Sequence, residues 1–98
     1  MTQFPQSCTQ LFPLGLTVGT PGALRALEQA GQNYGQFFTL HQAGFWGECC
    51  PEDQQANEEA TAHGGRIISV YHTRLGVSLW VITEADRSKT TILLPEEY

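Results

Sequence analysis

RIISVYHTRLGVSLWVITEADRSKTTILLP, residues 66–95, holds most of the β-branched and aromatic side chains of a 98-residue chain. Three runs in it have strand composition: Ile67–Tyr71, Val77–Ile82 and Thr90–Leu94. Arg74-Leu75-Gly76 supplies a turn between the first two. The charged loop Glu84-Ala85-Asp86-Arg87-Ser88-Lys89 joins the second to the third. Short connections between successive strands predict a three-stranded antiparallel meander. Apolar residues fall on both faces. Ile68, Val70, Leu79 and Val81 are expected on one, and Tyr71, Trp80, Ile82 and Leu93 on the other. One face should receive helices, and the Tyr71/Trp80 face should stay partly exposed.

The residues before the meander read as helices. Thr20-Pro21 is an N-cap followed by proline at the first helical position, and Gly31 is the stop. Asn33, with Gln36 three residues on, opens a second helix that runs to Gly44. A tight turn between the two predicts an αα-hairpin. Pro51 opens a third helix, with Glu52 and Asp53 at the positive end of its dipole and His63-Gly64 at its end. Its inner face is expected from Ala56, Ala60 and Ala62. Leu14–Val18 alternates as a short N-terminal strand would. Phe45-Trp46-Gly47 reads as a hydrophobic plug under a loop. The fold class is therefore α+β: a short N-terminal strand, three short helices, then the antiparallel meander. Residues 1–13 are expected as a loose arm and residues 14–98 as one domain.

The formal net charge is −5. Arg25 and Glu28 cancel before residue 48. Arg66, Arg74, Arg87 and Lys89 cancel Glu84, Asp86, Glu96 and Glu97 after residue 63. The imbalance is therefore Glu48, Glu52, Asp53, Glu58 and Glu59. Such a balance disfavours nucleic-acid binding and suits a basic protein partner. No run is long and apolar enough for a membrane span, and no secretory signal is visible. Three cysteines, Cys8, Cys49 and Cys50, make no disulfide framework, so a reducing cytoplasm is expected.

Meander geometry gathers one set of chemically useful residues. Arg66 starts the first strand, so it must stand beside Thr83 and Glu84. His63 lies at the same end, as do Asp86, Arg87 and Lys89. Histidine, carboxylate and arginine together are the types needed for acid–base attack on a phosphodiester. The same residues suit a salt-bridged loop. His41, Cys49, Cys50 and His63 are metal-ligand types without metal-ligand spacing, so no metal or cofactor is expected. His41 reads as a hydrogen-bonded core histidine.

Several phrases resemble a known family. They are Thr20-Pro21-Gly22-Ala23-Leu24, Trp46-Gly47-Glu48, Asn57-Glu58, Trp80–Ser88 (WVITEADRS) and Thr90–Tyr98 (TTILLPEEY). They resemble small uncharacterised bacterial proteins carried on plasmids and other mobile elements. Some of those are labelled restriction-modification subunits, although a chain this short lacks the length and motifs of a methyltransferase. The Cys49-Cys50-Pro51 run departs from the acidic wording of that region. The resemblance implies a cytoplasmic, mobile-element setting. Two functions are then expected in order. The first is a non-enzymatic accessory protein that binds a protein partner through Glu52, Asp53, Glu58, Glu59, Tyr71 and Trp80. The second is a small ribonuclease-like or nucleotide-handling enzyme using the His63/Arg66/Glu84/Arg87 edge.

Overall fold

The computed structural model describes residues 10–98. Its elements are β1 (Leu16–Gly19), α1 (Pro21–Ala30), α2 (Tyr34–Gln42), α3 (Pro51–His63), β2 (Ile67–His72), β3 (Ser78–Thr83) and β4 (Lys89–Leu93). A 3₁₀ turn, Pro95–Glu97, follows. The class is α+β, with three helices and a four-stranded mixed sheet in the order β1-β4-β3-β2.

The helix ends follow the local chemistry. The Thr20 side chain accepts the Ala23 N–H, and Gly31 ends α1 in the left-handed conformation at φ 67. The Asn33 side chain caps α2 through the Gly35 N–H at 2.6 Å. The expected capping role of Gln36 is absent, since only its backbone N–H turns back to Asn33 O. Pro51 occupies the first position of α3.

The meander is present as part of a larger sheet. β2 pairs antiparallel with β3, and β3 with β4. β1 then adds to β4 in parallel, with Leu16 opposite Lys89 and Gly19 opposite Ile92. The N-terminal strand is thus an edge of the same sheet, and the sheet is mixed.

The expected faces need correction. Tyr71 lies opposite Leu79, Ser69 opposite Val81, and Val70 opposite Trp80. Residues 73–77 form the turn, and that length gives paired residues the same parity. Tyr71, Leu79, Val81 and Ile92 therefore share the helix-covered face with Leu27, Phe37 and Phe38. Ile68, Val70, Trp80, Ile82 and Leu93 share the other. Tyr71 is 7% exposed, and its hydroxyl donates to Phe45 O. It offers nothing to a partner. Trp80 is half-buried on the opposite face, where the Tyr98 ring meets it edge-on at 5.5 Å.

Two further expectations change. The inner stripe of α3 is Asn57, Ala60 and Thr61, while Ala56 and Ala62 are exposed. The arm is tied down where it is described: Leu11 N–H bonds Gln42 O at 2.9 Å, and Phe12 is buried against Trp46. Residues 1–9, with Cys8, lie outside the described residues. Among the described residues, no helix is long and apolar enough to cross a membrane.

The outer edge of β2 is closed without a strand. The Asn57 amide donates to Ile68 O at 2.7 Å and accepts the Ile68 N–H at 3.1 Å. The Val70 N–H reaches Trp46 O at 3.0 Å, and Val70 O takes the Glu48 N–H at 2.7 Å. This close approach requires Gly47, at φ 75: a Cβ there would lie 1.9 Å from Val70 O. An edge that would template aggregation is thereby sealed.

Candidate functional site

The register sets Ile67 opposite Thr83, so Arg66 stands beside Glu84 as the meander predicts. Their side chains pair at 3.8 Å, both half-exposed. Arg66 also donates to the Tyr98 hydroxyl at 2.7 Å and lies over that ring. From this point the expected constellation comes apart. Arg87, in the left-handed region at φ 61, sends its guanidinium to backbone carbonyls. It donates to Gly65 O at 2.6 Å, Ala60 O at 2.8 Å, Glu84 O at 3.2 Å and Ala85 O at 3.3 Å. It therefore ties the end of α3 to the β3–β4 loop and covers the Phe12 ring. Asp86 is turned inward on its own loop. It accepts the Ser88 N–H at 2.9 Å, and bonding by Ser88 holds its carboxyl below the ordinary value. His63 is exposed and makes no hydrogen bond or ion pair among the described residues. Lys89 is exposed at the start of β4. The edge is a braced loop with one surface ion pair.

The most developed polar arrangement is internal. His41 on α2 is wholly buried. Its Nδ1 meets Ser69 Oγ at 2.6 Å and its Nε2 meets Thr83 Oγ1 at 2.8 Å. Thr83 Oγ1 lies 2.7 Å from Thr90 Oγ1, which donates to Leu14 O at 2.7 Å. A hydroxyl has one proton and a carbonyl has none, so the direction of each bond follows. Thr90 spends its proton on Leu14 O. Thr83 must then donate to Thr90, and His41 must donate to Thr83 from Nε2. Nδ1 is left as the acceptor for Ser69. The imidazole is thus neutral and protonated at Nε2. Burial without a counter-charge lowers its pKa from 6.5 to about 3. Phe12 and Trp46 enclose the ring edge-on at 5.2 and 6.0 Å. This histidine has the chemistry of a base and none of the access, which matches its reading as a core residue.

The acidic segment differs in character. Glu52, Asp53, Glu58 and Glu59 are all exposed, and none has an ion-pair partner among the described residues. Glu48 pairs with His72 at 3.3 Å. Glu52 and Asp53 sit at the helix start, where the dipole favours them. Glu58 and Glu59 lie beyond the first turn and gain nothing from it. Glu58 also lines a groove of about 280 Å³ with Thr61, Leu11, Ala43, Gly44 and Trp46. The Trp46 indole N–H is buried without a hydrogen-bond partner among the described residues.

Cys49 and Cys50 are adjacent and unlike. Cys49 is buried, its one thiol proton shared between Ile68 O at 3.2 Å and Trp46 O at 3.3 Å, and burial raises its pKa. Cys50 is exposed. Brief alkylation of the native protein is expected to label Cys50 and spare Cys49, with denaturant removing the difference. Peptide mass mapping reads the result. Among the described residues, no three histidine, cysteine, aspartate or glutamate side chains are grouped to hold a metal.

No family model matches the chain, and neither the curated proteins nor the solved structures searched contain a match.

Proposed function

We propose that this chain is a non-enzymatic accessory protein that binds a basic protein partner through the exposed face of α3. The observation that carries this reading is the state of Glu58 and Glu59. They are charged, exposed, unpaired among the described residues, and outside the reach of the helix dipole. Carboxylates that do nothing for the fold remain available to a partner. Tyr71 is removed from the proposed surface, and Trp80 is on a different face of the molecule. The edge of His63, Arg66, Glu84, Asp86 and Arg87 supports phosphodiester chemistry less well, because Arg87 and Asp86 are already committed to the loop. The cytoplasmic, mobile-element setting rests on the resemblance of the C-terminal segment.

The test reverses two charges. Glu58→Lys with Glu59→Lys is expected to leave the thermal midpoint within a few degrees of wild type. It should weaken capture of basic partners about tenfold or more, and the wild-type interaction should itself fall with added salt. Quantitative mass spectrometry of proteins retained by each form is the measurement. Equal retention of the same partners by both forms would remove the proposal.

A further inference from the structure

The two edges of the sheet are treated differently. On β2, the N–H and C=O groups of Ile68 and Val70 are all partnered by Asn57 and by residues 46–48. On β1, no strand lies outside it and no backbone hydrogen bond from the described residues reaches Thr17 or Gly19. The Leu16 N–H bonds Ser88 O at 3.0 Å and the Thr20 N–H bonds Ile92 O at 3.0 Å. Backbone direction alternates along a strand, so Leu16, Val18 and Thr20 face β4 while Thr17 and Gly19 face outward. Leu16–Gly19 holds no proline, charge or bulge of the kind that blunts an edge.

We infer that β1 pairs antiparallel with β1 of a second copy of this chain, which makes one continuous eight-stranded sheet. The strand is self-complementary about Val18. Thr17 would exchange both backbone bonds with Gly19 of the copy, and Gly19 with Thr17. Val18 would face Val18, with Leu16, 66% exposed in the single chain, diagonal to it. On the helix side, exposed Leu24 and Tyr34 border a groove of about 170 Å³ beside Thr17 and Gly19, and the twofold brings both rims together.

Charge favours this occupant. Glu48 and α3 lie along β2, so the unbalanced carboxylates sit at the far edge of the sheet. Two copies of net charge −5 meet with least repulsion through β1. The two ends of β1 also carry opposite signs. Lys89 is the register partner of Leu16, and Glu97 bonds Thr20 and the Gly22 N–H. Antiparallel pairing turns the Lys89 end of each copy toward the Glu97 end of the other. The contact is short, so a weak, concentration-dependent dimer is expected.

Sedimentation of the full chain from micromolar to near-millimolar concentration is expected to rise from 10.8 kDa toward twice that mass. Thr17→Pro removes an outward N–H that β4 does not use. It should abolish the dimer while leaving circular dichroism and the thermal midpoint nearly unchanged. Val18→Lys and Val18→Glu should each be monomeric alone and should dimerise when mixed, because position 18 faces its own copy. A wild-type monomer throughout the range overturns the inference and leaves the edge to a segment of some other protein. A dimer that survives Thr17→Pro, or variants that fail to complement, overturns the β1 pairing.

Discussion

Lowering the pH from 7 to 4.5 is expected to destabilise this protein steeply, and His41→Leu is expected to remove most of the slope. His41 has a pKa of about 3 in the folded chain and an ordinary value of 6.5 unfolded. Above pH 6.5 both states hold the ring neutral, and stability does not depend on it. Between 6.5 and 3 the unfolded chain binds a proton that the folded chain refuses. Stability therefore falls as pH falls, by about tenfold in the folding equilibrium per pH unit, and levels off below about 3. Glu97 and Asp86, whose pKa values are lowered by their hydrogen bonds, also favour the fold above their ordinary carboxylate values and lose that contribution at greater acidity. The window from about 6.5 to 4.5 consequently reports mainly on His41. His41→Leu leaves the Ser69 and Thr83 hydroxyls short of partners, so at pH 7.5 it should be less stable than wild type by about 2–4 kcal/mol. Urea unfolding of both forms at fixed pH values supplies the comparison. A variant with the wild-type slope would place the acid sensitivity elsewhere.

Asn57→Ala is expected to cost about 2–4 kcal/mol, because it leaves the partly buried Ile68 N–H without a partner and Ile68 O with only the weak Cys49 thiol donor. For a domain of this size that corresponds to a fall in the thermal midpoint of roughly 10–20 °C. Asn57→Asp separates the two bonds. A carboxylate still accepts the Ile68 N–H but faces Ile68 O with no proton to give. Protonation restores that donor, so the gap between the aspartate variant and wild type should narrow as the pH is lowered. The sign follows from a carboxyl whose pKa is raised in the fold, whose stability is complete at low pH and lost as pH rises. Equal thermal midpoints for Asn57→Ala and wild type would mean that α3 does not hold the β2 edge.

Much of the architecture is legible in local chemistry. Thr20-Pro21, Gly31, Asn33, Pro51 and His63-Gly64 mark helix ends because caps act within one turn of chain. The turn at residues 73–77 and the loop at 84–88 make neighbours of successive strands, so Arg66 beside Glu84 follows from order alone. What is not legible depends on distance or parity. The parallel pairing of β1 with β4 joins segments some seventy residues apart, and four residues carry too little pattern to announce it. Tyr71 and Trp80 lie on opposite faces because one residue of turn length exchanges the faces of a strand, and the sequence does not mark that length. Arg87 reads as a catalytic cation in the sequence because its partners are carbonyls, and carbonyls have no sequence signature. Asn57 left a faint sign: it shares one helical stripe with Ala60 and Thr61, where an apolar residue would be usual.

The donor order that begins at Ser69 ends at Leu14 O, immediately before the edge strand. If β1 were to lift from β4 and carry that carbonyl away, Thr90 would have a proton and no acceptor. Thr90 would then donate to Thr83 and Thr83 to Nε2, moving the imidazole proton to Nδ1. Nitrogen chemical shifts of a ring that solvent never reaches would thus register whether the first strand is seated. A buried core residue becomes a spectroscopic gauge for the outermost part of the sheet.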